Sequence, residues 1–190
     1  MSLTDKDNEH LLKFKNFLKS ESKITTGSKI YDKKYNKTHY RCRFAFRDTI
    51  IYKDLIKLGC TPKKSLVLKF PTENQVPEKF VNSFILGYFD GDGHISDPQK
   101  KSINVSLIGT LDMLENISKH SKIIFPKYRN KGCAIEVNEV SICGDNARKF
   151  LKYVYQDCKT FLKRKKDRYT QFIARYNRDI IDEQRKIGEH

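Results

Sequence analysis

The chain has 190 residues, 38% of them hydrophobic, and carries 38 Lys and Arg against 23 Asp and Glu for a net charge of +15. That is enough apolar content for one large or two small domains with real cores, and it excludes a disordered tail. With a pI near 9.6 and basic residues spread along the chain, the field attracts polyanions, which puts nucleic acid ahead of an anionic membrane surface or a merely solvated face.

Five cysteines, Cys42, Cys60, Cys133, Cys143 and Cys158, make an odd number with no C-x-x-C pair. This argues against a disulfide framework or a zinc knuckle and for a reducing, intracellular setting: cytoplasm, nucleoid, an organelle or a phage-infected cell. No apolar stretch reaches transmembrane length, and the first twenty residues are too charged for a secretory signal, so a soluble protein with no membrane partner is expected.

In chain order, "TDKDNEHLLKFKNFLKSES" predicts a helix opened by Thr4 or Asp5, with an apolar stripe through Leu11, Leu12, Phe14 and Leu18. "KIYDKKYNKTHYRCRFAFRD" alternates, with Tyr40, Cys42, Phe44 and Phe46 on one face and Arg41, Arg43, Ala45 and Arg47 on the other, which predicts a strand with a basic exposed side. "TIIYKDLIKLG" predicts a helix ending at Gly59. After a linker, "VPEKFVNSFILGYF" predicts a helix with Pro77 near its first turn and apolar positions from Phe80 to Phe89. Short strands in "HISDP" and "SINVSLIG", a helix in "TLDMLENISKHS" and strands in "KIIFPKYRNKG" and "CAIEVNEVSICG" follow. A single basic helix ending near "FLKRKKDRYTQFIARYN" closes the order.

An internal repeat runs through these elements. The segment from Ser2 resembles that from Ser106, and "YKDLIKLGCTPKKSLVLKF" parallels "YVYQDCKTFLKRKKDRY", which places Lys64 opposite Lys165. The offsets agree: Leu3 to Leu107 is 107 − 3 = 104, and Lys64 to Lys165 is 165 − 64 = 101. The expected division is 1–72 for a first, incomplete repeat, 73–178 for a second repeat and 179–190 for a tail. The first repeat has no counterpart of residues 80–92.

That segment carries the chemistry. "FILGYFDGDGHIS" sets Asp90 and Asp92 among glycines at a predicted helix end. Helix C-termini expose carbonyls and partial negative charge, so acids there are disfavoured by roughly 0.3–1 kcal/mol each and need compensation. A hard divalent cation such as Mg²⁺ or Ca²⁺, completed by a phosphate, would provide it; a glycine-rich helix stop before a hairpin is the plainer alternative. An EF-hand register fails, because Tyr88 and Gln99 would occupy its first and twelfth positions. Gly87 and Gly91, four apart on one helix face, cost stability unless a second helix packs closely there.

"ILGYFDGDG", residues 85 to 93, resembles the LAGLIDADG motif of homing endonucleases, and "GCTPKKSLVLKFP" before it and "LKYVYQDCKTFLKRKKDRY" after it extend the likeness over almost the whole chain. The last of these resembles that family's closing strand-helix segment. The resemblance implies an α+β fold of αββαββα repeats whose paired motif helices form a saddle over DNA, here with the first repeat incomplete. It implies metal-dependent hydrolysis of phosphodiester bonds in double-stranded DNA, with Mg²⁺ as cofactor and Ca²⁺ or Mn²⁺ as substitutes. Asp92 matches the acid that binds the catalytic metal, beside the carbonyl of Gly91, and Asp90 matches a supporting acid. Lys165 matches a basic residue that stabilises charge or organises solvent, with Lys64 as its first-repeat counterpart.

Strand side chains would contact bases or phosphates, with Arg41, Arg43, Arg47, Lys100, Lys101, Lys163 and Arg164 as candidates. His94 is a candidate base but is set aside, since a lone His is more often incidental. The family's site takes one acid from each of two helices, whereas one motif helix is present here. The expectations are dimerisation through Gly87 and Gly91, an inactive enzyme that still binds nucleic acid (a DNA-binding relic, or an intron maturase with RNA as partner), or a fragment of a longer protein. Intron, intein and free-standing origins remain open.

Overall fold

The alternation around Cys42 forms a strand of eight residues, β3 (Lys37–Phe44), whose Cys42 and Phe44 are fully buried while Arg41 and Arg43 face solvent. The computed structural model describes residues 1–33, 36–62, 67–100, 102–130 and 137–188. Two compact units result: Met1–Tyr52 with Leu162–Arg164, and Lys53–Phe161 with Lys165–His190.

In the first unit, β1 (Ser2–Thr4) and β2 (Ile24–Asp32) flank β3 in an antiparallel sheet of order β1-β3-β2. β2 is an addition to the single strand expected here, and its register to β3 shifts between Thr25 and Ser28, beside Gly27 at φ +75°. A 3-10 turn over Asp5–Asp7 leads into α1 (Asn8–Phe17), so the helix opens later than expected. Leu11 of α1 packs with Cys42 and Phe44, joined by Leu3, Phe14, Leu18, Ile24 and Phe46; Leu12 points to solvent instead.

Helix α2 (Thr49–Lys57) follows. Asp48 caps it, its Oδ1 accepting from the N–H groups of Ile50 and Ile51, both at 2.9 Å. Gly59, at φ +87°, ends it: its N–H reaches Ile56 and that of Cys60 reaches Leu55, the paired bonds of a Schellman stop.

The second unit runs α3 (Glu78–Asp92), β4 (Gly93–Ile95), β5 (Asn104–Gly109), α4 (Leu111–Ser121), β6 (Tyr128–Asn130), β7 (Asn138–Cys143), α5 (Gly144–Tyr155) and α6 (Lys163–Gly188). Its sheet is antiparallel, order β4-β5-β7-β6, and its core joins Val81, Ile85, Leu86 and Phe89 of α3 to Val105, Leu107, Val140 and Ile142 of the sheet and to Phe150 and Val154 of α5. Thr110 caps α4, accepting from the N–H of Met113 at 3.3 Å, while its hydroxyl donates to the carbonyl of Leu68 at 2.6 Å.

The expected single basic helix is two helices, α5 and α6, and the expected strand-helix ending over residues 151–169 is helix, connector, helix. Ala147, Phe150, Leu151 and Val154 explain this: spaced by three and four, all are buried on one helical face. α6 continues through Gly188, past residue 178.

The repeat is visible in topology. β1-α1-β2-β3-α2 has the order of β5-α4-β6-β7-α5, and the sheet order β1-β3-β2 reproduces β5-β7-β6. Among the described residues, α3, β4 and α6 are the elements of the second unit without a counterpart in the first. The fold is thus mixed α+β with antiparallel sheets, and no helix among the described residues is long and apolar enough to cross a membrane.

Candidate functional site

Helix α3 delivers the motif residues. Val81, Ile85, Leu86 and Phe89 recur at one-, three- and four-residue spacings and turn inward, which sets Gly87 and Gly91 on the exposed side. A methyl group added at either glycine meets nothing within 4 Å. Asp90 is half-buried, and Asp92, the last helical residue, is exposed.

The chain must turn immediately into β4, and this is where the packing is closest. A methyl at Gly93 would press into the Phe89 ring and lie 2.5 Å from the Phe89 carbonyl oxygen. Only glycine lets the strand leave the helix over that ring.

Carbonyls in the last turn of a helix run short of intrahelical donors, although that of Phe89 accepts from the N–H of Gly93. Lys165, only 3% exposed, adds donors here: its Nζ donates to the carbonyls of Phe89 at 2.6 Å and Asp90 at 2.9 Å in α3 and to that of Gly93 in β4. Three acceptors match the three N–H donors of an ammonium. The Phe89 ring centroid lies 5.0 Å from Nζ. Burying this charge is tolerable because it is hydrogen-bonded at the negative end of a helix dipole. Two acids at a helix end call for positive charge, and Lys165 brings one. Asp90, Gly91, Asp92 and Lys165 are therefore brought together.

Tyr88, read in the sequence only as an apolar position, belongs to the same neighbourhood. Its hydroxyl donates to the carbonyl of Ile108 at 2.8 Å. Burial first, then the negative charge of Asp92, pushes ionisation of the phenol well above its usual range. Arg168 also supports the corner, donating to the carbonyl of Ile95 at 2.7 Å. Neither contact has a local signature, since the partners are far apart in sequence.

The other basic candidates are dispersed. Lys37, His39, Arg41 and Arg43 alternate on one exposed side of β3, with Ser2 and Thr4 of β1 and Thr25 and Ser28 of β2 opposite the arginines. Arg47 is exposed just beyond, Lys100 lies exposed in the turn between β4 and β5, and Lys163 is exposed at the start of α6. Arg164 is engaged: its Nε donates to both carboxylate oxygens of the buried Asp7 at 3.1 and 2.9 Å. His94 is exposed on β4. Lys64 and Lys101 lie outside the described residues, as does Cys133.

No protein-family model and no curated protein matches the chain. Among the described residues, no group of three or more His, Cys, Asp or Glu side chains could by itself hold a metal ion. The Asp92 carboxylate and the Gly91 carbonyl are hard oxygen donors of the kind Mg²⁺ takes from a protein when phosphates and water complete its shell.

Proposed function

We propose that this chain is a LAGLIDADG-type, divalent-metal-dependent DNA endonuclease unit that completes its site by pairing α3 with the same helix of a second copy. One observation carries the reading most: α3 ends on an exposed Asp92 while its Gly87 and Gly91 face has open space around it, inside an α-β-β-α-β-β-α order over residues 78–155. Glycines in a helix cost about 1 kcal/mol each relative to alanine. Backbone-close packing of a second helix would offset that cost.

In this reading Asp92 and the Gly91 carbonyl hold the metal, with Mg²⁺ in the working enzyme and Ca²⁺ or Mn²⁺ as substitutes. When bound, such an ion activates water and stabilises charge on the phosphoryl and leaving oxygens. The chain's own residues do the positioning. Lys165 fixes the helix end that presents Asp92, Gly93 lets the strand leave without displacing it, and the Tyr88 bond to Ile108 ties helix to sheet. The basic face of β3 supplies phosphate contacts, and the net charge of +15 steers DNA toward it.

Asp92→Asn tests the assignment. In single-turnover scission of a random-sequence duplex pool with Mg²⁺, the variant should lose cleavage and bind nearly as tightly as the parent. Retained cleavage would sink it. A second reading, a nucleic-acid binder that does not cleave, is favoured by the single carboxylate exposed at the end of α3. It predicts salt-dependent binding indifferent to Mg²⁺ and no strand scission.

A further inference from the structure

Away from the motif corner, α6 and the β4–β5 turn form an open cleft of about 330 Å³ lined by Pro98, Gln99, Gln171, Ala174, Arg175 and Arg178. We propose that this cleft is a second phosphodiester site, which grips the DNA backbone in addition to the contacts of the β3 face; it rests on the DNA-binding reading and extends it.

The charges argue first. Arg175 and Arg178 are three apart on one helix, hence neighbours, and like charges at that spacing destabilise a helix unless an anion lies between them. Lys100 adds a third cation on the turn. Arg178 is exposed and makes no ion pair with any described residue.

Geometry argues second. Arg175 is already oriented: its guanidinium donates to the carbonyl of Lys100 and lies 5.0 Å from the Phe172 ring centroid, which leaves other donors of its fork unused. The turn is organised as well. Asp97 is the one acid on it, and its Oδ1 is committed to the N–H of Gln99 at 2.9 Å, while the Lys100 N–H bonds the Asp97 carbonyl at 3.1 Å. Gln171, Ala174 and Arg178, three and four apart on one face of α6, line the cleft together with Arg175 and with Pro98 and Gln99 of the turn. Forked guanidiniums with amide donors suit phosphate oxygens.

The test uses the intact chain and a mixed-sequence DNA duplex. Side-chain NMR of the arginine Nε–H groups is followed during titration, and the salt dependence of binding is measured for the parent, Arg178→Glu and Arg41→Ala. The proposal expects Arg178 and Arg41 signals both to shift, and Arg178→Glu to lower the slope of log K against log salt by about one unit. If Arg41 shifts while Arg178 does not, and Arg178→Glu leaves the slope unchanged, the cleft is overturned and DNA binding by the strand face stands. An Arg178 shift without Arg41 supports the cleft and contradicts the strand face. No shift at either arginine overturns both.

Discussion

At Lys165 a charge that resemblance alone makes a candidate for solvent chemistry is buried under a helix end, its donors on three carbonyls. Lys165→Met keeps the volume and strands those acceptors, so urea denaturation should show a loss on the order of 3 kcal/mol. A loss under about 0.5 kcal/mol, the usual range for a surface site, would contradict the capping role. Tyr88 makes a pH-dependent prediction. Its folded-state ionisation lies above that of the unfolded chain, so the folded state keeps a proton that the unfolded state releases once pH exceeds about 10. That part of stability is intact below this pH and declines as pH rises further. Tyr88→Phe should flatten the alkaline fall in Tm, with the loss of a hydrogen bond worth about 0.5–1.5 kcal/mol at neutral pH. An unchanged alkaline limb would show that the phenol is not what titrates. At this scale the sequence singled out Lys165 but not its capping work, because its partners lie 72 to 76 residues away along the chain.

Helix α3 and its exit into β4 can be probed through two glycines, which face opposite demands. Gly93→Ala forces a methyl into the Phe89 ring and carbonyl and should cost about 1–3 kcal/mol. Gly87→Ala meets open space and should stabilise the isolated chain by about 0.5–1 kcal/mol while weakening its association with a second helix. Thermal melts at low concentration and sedimentation at high concentration separate the two effects; a Gly87→Ala chain that associates as well as its parent would contradict a glycine-mediated interface. Elements with a buried face were legible. The alternation through Cys42 and Phe44, the stop at Gly59 and the Thr110 start of α4 all follow from periodicity or capping. β2 was not, since seven of its nine residues are exposed and no alternation marks it. The α5 and α6 boundary was missed because basic residues run through both, masking the apolar stripe that ends at Tyr155.

Across the whole molecule, the same strand-helix order occurs twice, with one copy of α3 among the described residues. The exposed apolar side of α2 fits that asymmetry. Ile50 is 72% exposed, whereas Phe150 of α5 is buried against Phe89 of α3, with ring centroids 5.7 Å apart. In the proposed dimer, pairing through α3 would bring two Asp92 carboxylates to one site. The repeated strand-helix order could be read from sequence offsets, and the candidate site in part from the motif. The second acid of the proposed site could not, because in that proposal it comes from another copy rather than from this chain. The most direct measurement is the solution mass of the intact chain at increasing concentration, with and without Mg²⁺ and duplex DNA. Pairing through α3 predicts twice the 22.4 kDa of one chain, reached at lower concentration when DNA is present. A mass of 22.4 kDa plus at most one duplex under every condition would contradict it.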